Sequence, residues 1–130
     1  MTSTPLPADF RAALGDAEEL LVTSRSGVRE VTVPMSFALS ASGALHLMTS
    51  ALSRKARRWE RDPWVRLTVP GGSLSVEGTV RRISADDLEE SARVAVLDRF
   101  ATSGAATPEA LRELLAAGTH LLLRVDPPPS

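Results

Sequence analysis

Cysteine is absent from the 130-residue chain. That excludes disulfides, thiolate catalysis and cysteine-ligated metal, and it is compatible with a reducing cytoplasm. An excess of either charge is also lacking: 15 Lys and Arg stand against 16 Asp and Glu, with a net charge of −1 and a pI near 6.1. No general attraction to nucleic acid or to an anionic membrane follows, so any basic stretch acts locally. No apolar run approaches the roughly 20 residues of a membrane span, and the opening MTSTPLPADF has neither the basic nor the apolar region of a signal peptide. The expectation is a soluble, cytoplasmic protein.

Groups for side-chain catalysis are scarce as well. His46 and His120 are the only histidines. Neither has a carboxylate or a second histidine at a ligand-like spacing, so both read as hydrogen-bonding or exposed rather than catalytic. There is no Ser/His/Asp order, no site-like carboxylate pair and no metal-ligand cluster; Asp86-Asp87 and Glu89-Glu90 read as a solvated helix surface. If the protein is an enzyme, a bound cofactor carries the difficult chemistry. With no internal repeat and no linker, residues 1–130 read as one domain.

What is present is a series of short strands separated by turn signals. Thr4-Pro5 or Pro7 opens an N-terminal helix within residues 1–15, with Phe10, Ala13 and Leu14 on its apolar face and Gly15 as its stop. Leu20 to Thr23 is a strand, and Ser26-Gly27 turns it into the next. From Arg29 to Leu39 the alternation is clean, with Val31, Val33, Met35, Phe37 and Leu39 on one side and Thr32, Pro34, Ser36 and Ala38 on the other. Pro34 removes a ladder donor, which places this strand at an edge, a bulge or a surface that something else approaches.

Leu45 to Thr49 is another strand. Ser53 then caps a helix to about Arg61, and Asp62-Pro63 stops it before a strand through Val65, Leu67 and Val69. Trp64 falls on the face opposite Val65, which suits an interface. The strand from Leu74 to Ile83 slips at Arg81-Arg82-Ile83 in the manner of a bulge, and Gly78 marks a bend or a close backbone approach. Ser84 to Asp87 resembles a capping box opening a helix through Phe100, and Thr107-Pro108 caps another to Ala116 or Ala117. His120 to Val125 is the last strand. Residues 126–130 read as an extended proline-rich tail.

The helix after Ser53 begins in an unusual way. The positive end of a helix dipole favours acidic residues, yet its first turn carries Arg54 and Lys55, with Arg57 and Arg58 behind. Free N–H groups, the hydroxyls of Thr49, Ser50 and Ser53, and these cations together make a phosphate cradle. The alternative is a plain solvated basic face, or a nucleic-acid patch. Lys55 lies beside Ala56 and one turn before Trp59, at the apolar seam of the helix. The nucleic-acid reading lacks both a recognition motif and interleaved aromatics beyond Trp59.

Three pieces, Met48-Thr49-Ser50, Ser53-Arg54-Lys55-Ala56 and Asp62-Pro63-Trp64-Val65-Arg66-Leu67, resemble the pyridoxamine 5′-phosphate oxidase-like superfamily in order and spacing. The likeness extends upstream through residues 31–37 and downstream through residues 74–80. It implies a mainly β (α+β) fold, a six-stranded antiparallel split β-barrel with peripheral helices. It also implies a homodimer with cofactor sites at the subunit interface, no nucleic-acid or membrane partner, and FMN as cofactor, with the deazaflavin coenzyme F-420 as the alternative. Thr49, Ser50, Ser53, Arg54 and Lys55 match the family's phosphate-binding segment, with Arg57 and Arg58 available to a longer anionic tail. Val33, Pro34, Met35 and Ser36 correspond to the strand whose backbone passes the flavin ring.

The sequence departs from the authentic oxidase in two places. Val33 and Ala38 stand where that enzyme carries an arginine and a lysine, and the proline run replaces the C-terminal segment that grips pyridoxal phosphate. The resemblance therefore implies hydride transfer between a flavin or deazaflavin and a small organic substrate other than pyridoxamine phosphate. The rival reading is a dimeric module that holds flavin or haem without turnover.

Overall fold

The alternating runs become strands of a single antiparallel sheet whose apolar sides enclose one core. The structure, a computed structural model, describes residues 5–128, so Thr4 and the last two tail residues lie outside it. Helix α1 (Ala8–Leu14) precedes strands β1 (Glu19–Ser26), β2 (Arg29–Ser36), β3 (Ala38–Leu39) and β4 (Leu45–Ser50). Helix α2 (Arg54–Arg61) leads to β5 (Trp64–Thr68) and β6 (Ser75–Ile83). Helices α3 (Glu90–Arg99) and α4 (Pro108–Ala116) follow, and β7 (His120–Asp126) is the last strand.

The strand order is β2-β1-β5-β6-β7-β4-β3. The two ends of that order are nearly one piece of chain, because only Phe37 separates β2 from β3. The sheet therefore curls back on itself as a half-barrel. Seven strands stand where six are expected, because the run from Arg29 to Leu39 changes partner in its middle. Its first eight residues pair with β1, ending at Ser36 opposite Glu19, while Ala38 and Leu39 pair with β4. Phe37 is buried at the break, where one straight strand could not stay in register with both neighbours.

Inside the curl, Leu20, Val22, Leu45, Leu47, Val65, Leu67, Leu123 and Val125 form the main core, with Leu6, Phe10 and Leu14 joining from the N-terminal segment and Trp59 from α2. A second apolar layer lies outside the sheet, where Ala38, Ile83 and Leu122 meet Leu88, Ala92, Val96, Phe100 and Leu111 of the helical segment. This second layer explains why the expected bulge is absent. The β6–β7 ladder runs unbroken from Thr79 opposite Asp126 to Ile83 opposite Leu122. The apolar pattern changes phase at Ile83 because burial passes from the inner face to the outer one.

The helix expected from Ser84 to Phe100 is in fact two pieces. Ser84 and Asp87 form the capping box, but it closes a single 3₁₀ turn, Ala85–Asp87. Leu88 is extended and buried before α3 restarts at Glu90. Gly78 is a close approach: a Cβ there would lie 2.7 Å from the Asp126 carbonyl oxygen.

Among the described residues no apolar layer packs on one face of the sheet, although Thr23 is itself buried there. The register turns Leu21, Thr23, Thr32, Pro34, Trp64 and Arg66 outward from β1, β2 and β5, and neither apolar cluster includes any of them. Polar pairs occupy this face instead. The Thr23 and Thr32 hydroxyls lie 2.8 Å apart, Arg66 pairs with Glu30 at 2.9 Å, and Trp64 Nε1 donates to Glu77 at 2.9 Å. The guanidinium carbons of Arg25 and Arg66 lie 4.4 and 5.2 Å from the Trp64 ring centre.

Candidate functional site

Helix α2 begins where the sequence places it. Ser53 is its N-cap and accepts a hydrogen bond from the Ala56 N–H at 3.1 Å. The Ser53 hydroxyl also lies 3.2 Å from that of Thr49, which ties the helix start to the end of β4. No acidic residue occupies the first turn, so the free N–H groups and the positive end of the dipole are not neutralised from within the helix. Ala56 and Trp59 are buried, which sets the rotation of the helix. At about 100° per residue, that rotation sends Lys55 to one flank and Arg54, Arg57, Arg58 and Arg61 to the side away from the core.

A cavity of about 380 Å³ opens beside Lys55. Pro34, Met35 and Ser36 of β2 line one side, and Met48, Thr49 and Ser50 of β4 line another. Arg99, Phe100, Thr102 and Ser103 close it from the end of α3, with His120 and Glu19 at its margin. Six of the ten residues singled out from sequence thus meet around one space: Pro34, Met35, Ser36, Thr49, Ser50 and Lys55. Lys55 is half-buried, makes no ion pair among the described residues, and is the only lysine in a chain with 14 arginines. Its compact charge is free to meet an anion.

The other four residues lie elsewhere. Val33 faces inward and packs on the main core. The Ser53 hydroxyl is engaged as the helix cap. Arg54 and Arg58 line a separate cavity of about 280 Å³ between α2 and the β1–β2 turn, together with Arg25, Arg57, Arg61 and Asp62.

Sequence reasoning missed Arg99. It brings a second cation to the Lys55 cavity, and its only ion pair among the described residues is with Glu18 at 3.8 Å. Its guanidinium lies 5.9 Å from the Phe37 ring centre. The available signal was a basic residue in the last turn of an expected helix, but nothing local says that this turn folds back over β2 and β4.

The histidines separate. His120 is half-buried at the cavity margin, with Nδ1 3.1 Å from the Thr119 hydroxyl. His46 is neither exposed nor paired at Nδ1, in contrast to the expectation for it. Burial lowers its pKa from 6.5 to about 4, with the Arg124 charge acting in the same direction. Among carboxylates, a hydrogen bond from Arg25 holds Asp62 below its ordinary value, the Ser84 backbone N–H does so for Asp87, and the Ser42 hydroxyl does so for Glu89. None of these three lines the Lys55 cavity. No group of three or more metal-ligating side chains comes together among the described residues, and none of their helices is long and apolar enough to cross a membrane.

The cavity thus gathers two cations, Lys55 and Arg99, with Thr49, Ser50 and Ser36, around one space beside the start of α2, with Met35, Met48 and Phe100 also lining it. No hydrogen bond or ion pair joins its Glu19 and His120 among the described residues.

No protein-family model matches the chain, and no curated protein matches it in sequence. Solved structures do match in fold. A Listeria innocua protein whose name assigns it provisionally to pyridoxamine 5′-phosphate oxidase superimposes with a TM-score of 0.63 at 16% identity, over 93% of this chain and 92% of that one. A FAD-binding protein from Mesorhizobium loti gives 0.60 at 18%, over 99% and 95%. HutZ, a haem storage protein from Vibrio cholerae, gives 0.57 at 14%, over 98% and 93%. The chain spans only 57% of a similar Agrobacterium tumefaciens protein of unknown function, with a TM-score of 0.63 at 19% identity over 98% of this chain. The fold is that of the pyridoxamine 5′-phosphate oxidase-like split barrels.

Proposed function

We propose that the protein binds a flavin phosphate, FMN in the first instance and the deazaflavin coenzyme F-420 as alternative, and moves hydride between it and a small organic substrate. The observation that carries this reading is Lys55. It is half-buried and without an ion pair among the described residues, in the first turn of a helix, and lines one cavity with Thr49, Ser50 and Pro34-Met35-Ser36. The flavin-binding and oxidase-type names among the structural neighbours support the choice of ligand.

When bound, the flavin supplies the hydride chemistry. The chain's residues place it. Lys55 and the first N–H groups of α2 hold the phosphate, and the hydroxyls of Thr49 and Ser50 complete its hydrogen bonds. Arg99 offers a cation from α3, in place of those missing at Val33 and Ala38 on the β2–β3 run. The backbone from Pro34 to Ser36 passes the ring, while Met35, Met48 and Phe100 exclude water from it.

A homodimer belongs to the same proposal. The outward face of β1, β2 and β5 carries Leu21, Pro34 and Trp64, and Pro34 also lines the cavity, so a second subunit seated there would close one side of the site.

Titration of the purified protein with FMN, and separately with the deazaflavin coenzyme, followed by cofactor fluorescence, tests the reading. Saturable binding at micromolar or lower Kd, weakened by Lys55→Ala, is the expected result. Binding of neither would refute the flavin assignment and turn attention to haem, as held by the HutZ-type neighbour. Saturable binding with no turnover of any hydride acceptor would leave a holding module.

A further inference from the structure

A third cavity, of about 440 Å³, opens at the end of the β6–β7 ladder. That ladder stops at Ile83 opposite Leu122, so His120 and Leu121 at the start of β7 run past the end of β6. The chain leaves the sheet at Ser84 and turns through Ala85–Asp87, where the Ser84 N–H and hydroxyl both donate to the Asp87 carboxylate. Helix α4 packs against that turn, held by buried Leu111 and by Arg112, which pairs with Asp86 at 3.1 Å. Arg82, Arg112 and His120 line the space left between them, beside half-buried Leu115 and Leu121.

The polar groups of this space are largely without partners. Arg82 makes no ion pair or side-chain hydrogen bond among the described residues. His120 engages only Nδ1, with the Thr119 hydroxyl, and its other ring nitrogen has no partner among the described residues. Asp86 is the only carboxylate among the described residues that line the cavity, and Arg112 already engages it. A groove filled with water accounts for exposed cations. It does not account for two leucines that keep apolar area in contact with water beside an unpaired guanidinium, in a space wide enough for a ligand to cover them.

We infer that this cavity is a binding site for a small organic carboxylate with a short apolar body. The carboxylate meets the Arg82 guanidinium, whose fork matches its two oxygens, and the body covers Leu115 and Leu121. Inorganic phosphate would leave the leucines wet, and an amine would face two arginines. The volume falls in the range of roughly 300–1,000 Å³ usual for small-molecule sites. This inference does not rest on the flavin reading, since His120 is the only residue that lines both this cavity and the one beside Lys55.

Titration of the isotope-labelled full chain with phenylacetate and with hexanoate, each compared with its neutral amide, tests this inference through backbone amide chemical shifts, with Arg82→Gln as the variant. The expected result is saturable shifts centred on Ser84, Leu115 and Leu121 with at least one acid. Its amide should bind at least tenfold more weakly, and the variant should bind the acid at least fivefold more weakly. FMN affinity is expected to be unchanged in the variant, because Arg82 does not line the Lys55 cavity, which separates failure here from failure of the flavin assignment. Thermal midpoints confirm that the variant is folded, and the comparison of acid with amide decides the matter without it. Absence of saturable shifts with either acid, shifts centred on Thr49, Ser50 and Lys55 instead, equal affinity for acid and amide, or equal affinity of wild type and folded variant would overturn the inference.

Discussion

His46 on β4 stands directly opposite Arg124 on β7 in the strand ladder, with its Nδ1 buried and without a hydrogen-bond partner. Desolvation and the guanidinium charge both disfavour its protonated form, outweighing the opposing charges of Glu89 and Asp126, and its pKa falls from 6.5 to about 4. As the pH drops below 6.5 the unfolded chain takes up this proton first. Stability attributable to His46 is therefore complete above 6.5 and declines toward pH 4, by at most about 3 kcal/mol. Urea denaturation at pH 7, 5.5 and 4.5 should show that decline, and His46→Gln should flatten it. Below pH 4 the lowered carboxylates Asp62, Asp87 and Glu89 add further loss, because each gives stability above its ordinary value that disappears on protonation.

Lys55→Ala should leave folding intact, because Lys55 has no ion pair or side-chain hydrogen bond to lose among the described residues. Removing one charge-assisted hydrogen bond costs about 1.5–3 kcal/mol, so FMN affinity should fall tenfold or more. Arg99→Ala should weaken binding in the same direction by a smaller factor, because its partial pairing with Glu18 already satisfies some of its charge. Fluorescence titration measures both. Unchanged affinity in the Lys55 variant would remove the phosphate cradle.

Gly78→Ala tests the packing between β6 and β7. The added methyl would meet the Asp126 carbonyl at 2.7 Å, with the Pro127 backbone behind it at 3.3 Å, and neither is the end of a flexible side chain. The expected loss is about 1–3 kcal/mol, read as a lower thermal midpoint. A midpoint equal to wild type would show that the two strands separate freely at that point.

The outward face of β1, β2 and β5 predicts the assembly. Sedimentation at micromolar concentration should give about twice the chain mass of 13.9 kDa, and Leu21→Glu, which places a charge on that face, should return it to one chain. A wild-type protein sedimenting as single chains would remove the interface from the proposal.

The elements themselves were legible because each has a local cause. Ser53 caps α2 and Asp62-Pro63 ends it; Thr107 caps α4 with Pro108 at its first position. Two misreadings share one cause. Local pattern carries no information about a second apolar layer on the far side of the sheet. That layer turned an apparent bulge at Ile83 into a change of buried face and drew Leu88 out of an expected helix. It also hid His46, which reads as a polar residue in sequence and ends buried between Ala38 and Arg124 in the ladder.

The sequence by itself determined the strand periods, the cap at Ser53, the unneutralised basic start of α2 and the position of Lys55 at its seam, because these depend on residue spacing within one element. Only the tertiary structure decided which cations share a space. Burial of Ala56 and Trp59 rotates α2 so that Lys55 joins Thr49, Ser50 and the β2 backbone, while Arg54 and Arg58 turn to a separate cavity with Arg25. The fold likewise brings Arg99 to the first cavity across some fifty residues of chain and breaks the long strand at Phe37. Those outcomes rest on long-range packing, which no local spacing encodes.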